Sequence, residues 1–205
     1  MYPAFLRLTG RKVVLVGGGR VAAGKLQGLI AEGAQVTVVA PEIRPELDQP
    51  GVVLERRRFE DTDLEGAWYV IAAAPPEVNR QVLVAAERRQ LFVNAVDDPP
   101  NATAYAGGVV RRDGVTIAIS TDGRAPALAG LLREALDAWL PGDLDEWMSA
   151  ADEARRNWKQ DGVPMERRRP LLLETLNRLY EERLNQLPTS NSQRPTTPTP
   201  NSQSE

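Results

Sequence analysis

The chain has 205 residues, of which 42% are hydrophobic and 26% charged, a profile typical of one globular domain with an appended segment. It contains no cysteine and no histidine, which excludes disulfides, thiolate catalysis, Cys-based zinc sites and Ser-His-Asp chemistry. Its 25 basic and 28 acidic residues give a net charge of −3, which argues against a nucleic-acid-binding surface. No apolar run is long enough to span a membrane and the first residues do not resemble a signal peptide, so we expect a cytoplasmic protein.

The first hundred residues alternate between two patterns. Continuous apolar, β-branched runs predict buried strands, and apolar residues at helical spacing predict the helices between them. The predicted strands are Lys12–Val16, Gln35–Ala40, Val52–Glu55, Trp68–Ala73 and Leu91–Val96, and the predicted helices are Val21–Ala31, ended by Gly33, and Pro76–Arg89. This alternation predicts an α/β fold with a Rossmann-like, doubly wound parallel sheet.

A different pattern begins after Pro99-Pro100. Two strand-like runs, 104–110 and 115–120, are joined by Arg111-Arg112-Asp113-Gly114, which predicts a small β-hairpin. Helical patterns follow at 126–139, 143–160 and 166–186, which predicts a helical C-terminal domain. Residues 188–205 have too little apolar surface to fold, so we predict a disordered tail there. The sequence therefore divides into the domain with the doubly wound sheet at 1–103, the segment with the hairpin at 104–140, the helical domain at 141–187 and the tail at 188–205.

Gly17, Gly19 and Ala22 follow the first strand with the spacing of a dinucleotide-binding turn. Gly17 permits the tight turn, Gly19 lets a pyrophosphate approach the backbone, and Ala22 lets the helix pack close to the sheet. The helix N-terminus then offers free N–H groups and a positive dipole end to the phosphates. The alternative interpretation is a glycine-rich turn that binds no ligand.

Charged residues follow the second strand. Glu42 lies slightly past the strand end, where an acid can hold the adenosine ribose hydroxyls; a solvated loop acid is the alternative. The nearest arginine that could meet a 2′-phosphate is Arg44, which is not at the strand end. This arrangement favours NAD over NADP.

The fifth strand runs into two acids, Asp97 and Asp98. Because the carboxyl ends of parallel strands face the ligand crevice, Asp97 is the best-placed general base in a chain that has no histidine. The alternative is that Asp97 or Asp98 caps the turn before Pro99.

Two later segments carry further polar candidates. The loop Ser120–Pro126 leads into a helix, and Arg124 there is placed to bind a carboxylate. The stretch Glu166–Arg169 is either a run of solvated surface charges or a binding site for a substrate rich in carboxylates.

Several of these motifs, taken in order, resemble the precorrin-2 dehydrogenase family, which includes the N-terminal module of siroheme synthases. The segments that carry the resemblance are Pro3–Leu8, Val14–Lys25, Asn94–Pro99, Ser120–Ala129 and Met165–Arg169. The resemblance implies NAD-dependent oxidation of precorrin-2 to sirohydrochlorin by a homodimer, with a dimerisation segment between the dinucleotide-binding and helical domains. A non-catalytic dinucleotide-sensing module is the alternative.

The resemblance also assigns residues. The family's essential aspartate falls on Asp97. The expected NAD contacts are Gly17, Gly19, Arg20, Val21, Pro41 and Glu42. Taken together with the reading of the residues themselves, the expected substrate contacts are Asn94, Thr121, Arg124, Arg167 and Arg168. Thr121 occupies the position of a serine that is phosphorylated in some members, although Asp122 and Arg124 depart from the family pattern in this loop. Some members also insert Fe²⁺, which would then be a second substrate; no protein-held metal is expected.

Overall fold

The computed structural model describes residues 1–122 and 124–186, so the predicted tail at 188–205 lies outside the described residues. The strands are β1 (Lys12–Val16), β2 (Gln35–Val39), β3 (Val53–Glu55), β4 (Tyr69–Ala72), β5 (Val93–Ala95), β6 (Gly108–Arg112) and β7 (Val115–Ile119). The helices are α1 (Arg20–Ala31), α2 (Pro76–Glu87), α3 (Pro126–Trp139), α4 (Leu144–Gln160) and α5 (Met165–Gln186). Short 3-10 helices cover Pro45–Leu47, Asp61–Leu64 and Pro99–Asn101.

The first five strands form one parallel sheet in the order β3-β2-β1-β4-β5. The strand order reverses at β1, which lies between β2 and β4, and ligands of open α/β sheets bind at such a switch point. Val16 at the end of β1 is in register with Val39 of β2 and Ala72 of β4. The loops that leave these three strands therefore share one edge of the sheet, and the predicted doubly wound fold is confirmed.

The sheet is buried on both faces, in two apolar layers. Leu15 of β1 packs with Leu26 of α1 in one layer, and Val14 packs with Val82 of α2 in the other. All four side chains are fully buried. A strand covered on both sides needs apolar residues at successive positions, which explains the continuous apolar run in β1.

The chain after β5 returns along the free edge of that strand. The amide of Val93 donates to the Thr103 hydroxyl at 2.9 Å, and the amides of Thr103 and Ala104 both donate to the Val93 carbonyl at 2.9 Å. The side-chain amide of Asn94 donates to the Ala104 carbonyl at 3.0 Å. These contacts explain why the hairpin strand expected from residue 104 begins only at Gly108: residue 104 is already bonded to β5.

The hairpin turn consists of Asp113 and Gly114, with φ angles of +48° and +82°. Two successive left-handed residues are the hallmark of the type I′ turn, whose twist suits a two-residue hairpin loop. Arg111 and Arg112, expected in the connection, belong to β6 instead. The hairpin loop is therefore two residues long, whereas the sequence pattern predicts a connection of four residues.

Two compact units divide the chain: Met1–Val110 with Thr116–Trp139, and Arg111–Val115 with the described residues from Leu140 onward. In the second unit α4 packs against α5, and α5 contains Pro170 within its first two turns. None of the helices in the described part of the chain is both long and apolar enough to cross a membrane.

Candidate functional site

The turn that leaves β1 is held by backbone contacts on both sides. Gly17 has φ +126°, and its amide donates to the Val39 carbonyl at 2.9 Å. A Cβ atom at Gly17 would lie 2.3 Å from the Ala73 carbonyl oxygen. Only glycine meets both constraints, so Gly17 is required by the turn itself.

Gly18 is required for a different reason. A Cβ atom there would lie 1.8 Å from the carbonyl oxygen of Glu42. The Gly18 carbonyl in turn accepts a hydrogen bond from the Arg44 amide at 3.0 Å. The sequence analysis does not single out Gly18, because the dinucleotide-binding pattern allows any residue between Gly17 and Gly19. The signal that could have identified it is the unbroken run of three glycines.

Gly19 faces open space. A Cβ atom there would meet no atom of the described chain within 4 Å. Gly19 is the N-cap of α1, and the helical hydrogen bonds begin with the Ala23 amide donating to the Gly19 carbonyl at 3.1 Å. The N–H groups of residues 19–22 therefore have no acceptor within the helix. These groups and the positive end of the helix dipole fit the pyrophosphate of a dinucleotide.

A cleft of about 400 Å³ opens beside this helix N-terminus. Its lining residues are Gly18, Gly19, Arg20, Glu42, Ile43 and Arg44. Of the other predicted cofactor residues, Val21 is exposed in the first turn of α1, Pro41 is exposed at the end of β2, and Gly17 lies within the turn. The structure thus brings the six predicted residues to one edge of the sheet, and it adds Ile43 and Arg44.

Arg44 is paired with Glu46 at the rim of this cleft. Its Nη2 lies 2.7 Å from Glu46 Oε1, and its Nε donates to Oε2 at 3.2 Å. The hydrogen bond and charge of Glu46 raise the pKa of Arg44 above its ordinary value. The guanidinium is therefore already matched by a carboxylate.

The two aspartates after β5 have different surroundings. Asp98 accepts hydrogen bonds at Oδ2 from the side-chain amides of Asn79, at 3.0 Å, and Asn101, at 2.8 Å. The bonds from Asn101 and then Asn79 lower the pKa of Asp98. Asp97 is exposed, has φ +56°, and makes no side-chain hydrogen bond or ion pair within residues 1–122 and 124–186. Asp98 is the N-cap residue of the 3-10 helix Pro99–Asn101, but its side chain makes no capping hydrogen bond to the backbone and bonds to the two asparagine side chains instead.

Asn94 lies inside the fold, on the α1 side of β5. Its side chain is 5% exposed, and its Oδ1 has no hydrogen-bond partner among the described residues. Its side-chain nitrogen Nδ2 donates to the Ala104 carbonyl. The geometry therefore gives Asn94 a structural contact, and its expected contact with substrate stays a prediction.

A second cleft, of about 460 Å³, lies at the start of α3. Its lining residues are Ser120, Thr121, Asp122, Arg124, Ala125 and Leu128. The Thr121 hydroxyl accepts a hydrogen bond from the Ala125 amide at 3.3 Å, and the Asp122 amide donates to the Ser120 hydroxyl at 3.2 Å. Thr121 and Arg124, two of the predicted substrate residues, thus lie together in one concave surface.

The remaining predicted substrate residues belong to the other compact unit, in the first turn of α5. Arg167 is exposed, whereas Arg168 is half-buried and donates from Nε to the Val163 carbonyl at 3.0 Å. The described residues contain no group of three or more acidic side chains placed to hold a metal ion.

Comparisons with known proteins match both parts of the chain. A family described as putative NAD(P)-binding matches residues 4–108, and one described as sirohaem biosynthesis protein central matches residues 112–138. The first match covers the doubly wound sheet with its glycine turn. It confirms the expected dinucleotide cofactor class.

Curated relatives are longer than this chain. Siroheme synthase 3 of Aeromonas hydrophila is 40% identical over 172 residues, covering 82% of this chain and 37% of the relative. Siroheme synthase of Photorhabdus laumondii is 39% identical over 180 residues, covering 85% of this chain and 38% of the relative. The chain therefore spans little more than a third of the relatives that it matches.

A solved structure is similar over nearly its whole length. It is SirC, a precorrin-2 dehydrogenase, with a TM-score of 0.67 and 28% identity, covering 85% of this chain and 88% of that one. The similarity extends beyond the dinucleotide-binding sheet into the hairpin and helices. With the family matches over both the sheet and the central segment, it shows that the chain belongs to the family of putative NAD(P)-binding sirohaem biosynthesis proteins.

Proposed function

We propose that the protein oxidises precorrin-2 to sirohydrochlorin with NAD⁺. The observation that carries the proposal is the Asp97 carboxylate, which has no partner among the described residues and lies at the same sheet edge as the dinucleotide cleft beside Gly19. The similarity to SirC, which is named a precorrin-2 dehydrogenase, supports the choice of substrate. The identity of about two residues in five with siroheme synthases supports the same pathway step.

The reaction removes a hydride and a proton from the substrate. When bound, NAD⁺ supplies the hydride acceptor. The proton needs a base of this chain. Asp97 is an exposed carboxylate that no residue in the described ranges pairs with, in a chain without histidine. Asp97 is therefore the residue that accepts the proton, while Asp98 is engaged with two asparagines and holds the turn.

The cofactor's pyrophosphate is held by the amides of the first turn of α1, from Gly19 to Val21, with Arg20 beside them. Glu42, exposed in the same cleft, accepts hydrogen bonds from the adenosine ribose hydroxyls. The Arg44–Glu46 ion pair favours NAD over NADP, because a 2′-phosphate would have to compete with Glu46 for the guanidinium.

The substrate is a tetrapyrrole whose carboxylates need cationic and hydroxyl partners. Thr121 and Arg124 in the second cleft offer such groups, and Arg167 offers an exposed guanidinium in the helical unit. Asn94 stabilises the segment that leads from β5 toward the hairpin. Insertion of Fe²⁺ into the product belongs to the same proposal as a second reaction, in which the macrocycle's own nitrogens are the ligands.

We place the enzyme in the cytoplasm as a homodimer. Helix α3 leaves four large apolar side chains at least 40% exposed: Leu128, Leu131, Leu132 and Trp139. Leu128, Leu131, Leu132 and Ala135 recur at helical spacing, so they form one stripe, which a second copy of the chain would cover.

The test supplies purified protein with precorrin-2 and either NAD⁺ or NADP⁺, and follows NADH and sirohydrochlorin together. Equal formation of both products, dependent on enzyme and on NAD⁺, is the expected result. Binding of NAD⁺ without turnover would favour the dinucleotide-sensing alternative. A separate arm with sirohydrochlorin and Fe²⁺, with and without protein, tests the chelation reaction.

A further inference from the structure

We propose that Asp98, clamped by Asn79 and Asn101, is a positioning residue that holds the Asp97 carboxylate in its reactive orientation. The proposal rests on the function proposed above, in which Asp97 is the base. It assigns a role to a network that lies beside the base and touches neither the dinucleotide cleft nor the second cleft.

Asp97 has an unfavourable backbone conformation. Its φ of +56° lies in the left-handed region, which aspartate adopts more readily than most non-glycine residues but which still costs more free energy than an extended or right-handed conformation. On its N-terminal side, the Val96 amide donates to the Ala72 carbonyl of β4 at 2.8 Å and fixes the preceding residue. The following residue needs an equivalent anchor, and the Asp98 side chain provides it.

Asn79 connects that anchor to the core. Its side chain is 1% exposed, its Oδ1 accepts from the Ala74 amide at 3.2 Å, and its Nδ2 donates to Asp98 Oδ2 at 3.0 Å. Ala74 follows β4, and Asn79 lies in the first turn of α2. A single buried asparagine therefore joins the loop after β4 to the turn after β5.

Asn101 closes the network from the other side. It is 8% exposed, and its Nδ2 donates to the same Asp98 oxygen at 2.8 Å and to the Pro76 carbonyl at 3.4 Å. The backbone amide of Asn101 donates to the Asp98 backbone carbonyl at 3.1 Å. Because both asparagines donate to Oδ2, the clamp needs one acceptor oxygen at residue 98 and does not need its negative charge.

Two substitutions at residue 98 separate a positioning role from a chemical one. Asp98→Ala removes the acceptor, whereas Asp98→Asn keeps an oxygen that can face both amides. For each variant we would measure kcat and KM for precorrin-2, NAD⁺ affinity by calorimetry, and the melting temperature. We expect Asp98→Ala to lower kcat by about 10- to 100-fold, the cost of misplacing a reacting group. NAD⁺ affinity should stay unchanged in both variants, and Asp98→Asn should restore most of the wild-type kcat.

Asn101→Ala is the second variant, in case Asp98→Ala does not fold, since it removes one donor and leaves Asn79 in place. It too should lower kcat with little change in KM. Wild-type kcat in folded Asp98→Ala or Asn101→Ala would overturn the proposal. Equal losses in Asp98→Asn and Asp98→Ala would also overturn it, since the charge itself would then be needed.

Asp97→Asn, assayed in parallel, distinguishes this proposal from the one on which it rests. If Asp97→Asn is inactive while Asp98→Ala keeps full turnover, the positioning role is wrong and the function stands. If Asp97→Asn keeps full turnover, Asp97 is not the base and the positioning role fails with it, while the oxidation of precorrin-2 stands. Absence of NAD⁺-dependent turnover in the wild-type protein is the result that would overturn the function itself.

Discussion

The amide of Arg44 donates a hydrogen bond to the carbonyl oxygen of Gly18 at 3.0 Å, which fixes the loop after β2 to the turn after β1. With the Glu42 carbonyl close against Gly18 on the same side, the two loops meet backbone to backbone. The walls of the dinucleotide cleft are therefore rigid where they meet, and Gly19 at its mouth is the glycine that can be changed without disturbing them.

Gly19→Asp should abolish NAD⁺ binding while the fold is kept. A side chain at Gly19 meets no atom of the described chain within 4 Å, but it would occupy the space that a pyrophosphate needs and would repel its charge. Calorimetric titration with NAD⁺, together with a thermal melt, measures both effects. Gly28→Asp is the matched control, because Gly28 is an exposed glycine of the same helix with equally open surroundings. Wild-type NAD⁺ affinity in folded Gly19→Asp would contradict the cofactor assignment.

Glu46→Gln should raise the affinity for NADP⁺ by about fivefold, the scale of one exposed ion pair. The substitution releases the Arg44 guanidinium, which Glu46 holds at 2.7 Å, to meet a 2′-phosphate. NAD⁺ affinity should change little. The double variant Arg44→Ala with Glu46→Gln is the control and should lose the gain. The measurement is the dissociation constant of each dinucleotide, and an unchanged ratio would show that Arg44 does not face the ribose.

Asp97→Asn should lower dehydrogenation by about 10²-fold or more, the usual contribution of a general base. Asparagine is chosen over alanine because it tolerates the left-handed conformation at φ +56° and removes only the charge. NAD⁺ affinity and the melting temperature should stay near wild type. Steady-state kinetics with precorrin-2 checks the expectation; near-normal turnover in the folded variant would remove Asp97 from the mechanism.

Leu131→Glu should convert the proposed dimer to a monomer. Leu131 is 65% exposed at the centre of the apolar stripe of α3, so a charge there costs little in the isolated chain but opposes burial against a second copy. Light scattering across micromolar concentrations measures the change, with Leu131→Met as the apolar control. A wild-type protein that is itself monomeric over this range would end the dimer hypothesis.

The Asp63–Arg57 pair should make stability fall in acid. Asp63 is buried, which by itself opposes ionisation, but Arg57, at 3.0 Å, and the Glu60 amide, at 2.8 Å, outweigh this and lower the pKa of Asp63 below its ordinary 3.8. Its contribution to stability is therefore present above that ordinary pKa and is lost as the pH falls below about 4.

Asp63→Asn should lower the free energy of unfolding by about 1–2 kcal/mol at neutral pH and flatten this acid dependence. Urea unfolding at neutral and acidic pH measures both. Asp61→Asn is the control, because Asp61 pairs with Arg88 on the exposed surface, where ion pairs contribute little. If the stability of Asp63→Asn still falls in acid as steeply as that of the wild type, the acid dependence comes from other carboxylates.

The fold was largely predictable because each signal was local. Apolar runs buried on both faces marked the strands, and Gly33, with φ +71°, ended α1 where a helix-ending glycine was expected. The sequence pattern predicts the hairpin strand from residue 104, four residues before it begins. The reason is that the Ala104 amide bonds to the Val93 carbonyl, a contact with β5 that no local pattern encodes.

The site was predictable in its position and less so in its detail. A glycine turn and an acid after a strand place a dinucleotide and a base at one sheet edge from sequence order alone. The division of labour between Asp97 and Asp98 was not predictable, because it depends on Asn79, nineteen positions away from Asp98. The contact between Gly18 and Arg44 was not predictable for the same reason, since their hydrogen bond joins two loops.

The return of the chain along β5 also bears on how the protein behaves when crowded. Outward-facing N–H and C=O groups of an edge strand invite pairing with a strand of another molecule, the first step in edge-to-edge aggregation. In this sheet the outward amide and carbonyl of Val93 are already taken by Thr103 and Ala104. The Thr103 hydroxyl acts as the acceptor that a neighbouring strand would otherwise supply, so a threonine at this position makes pairing with another molecule at the β5 edge less favourable.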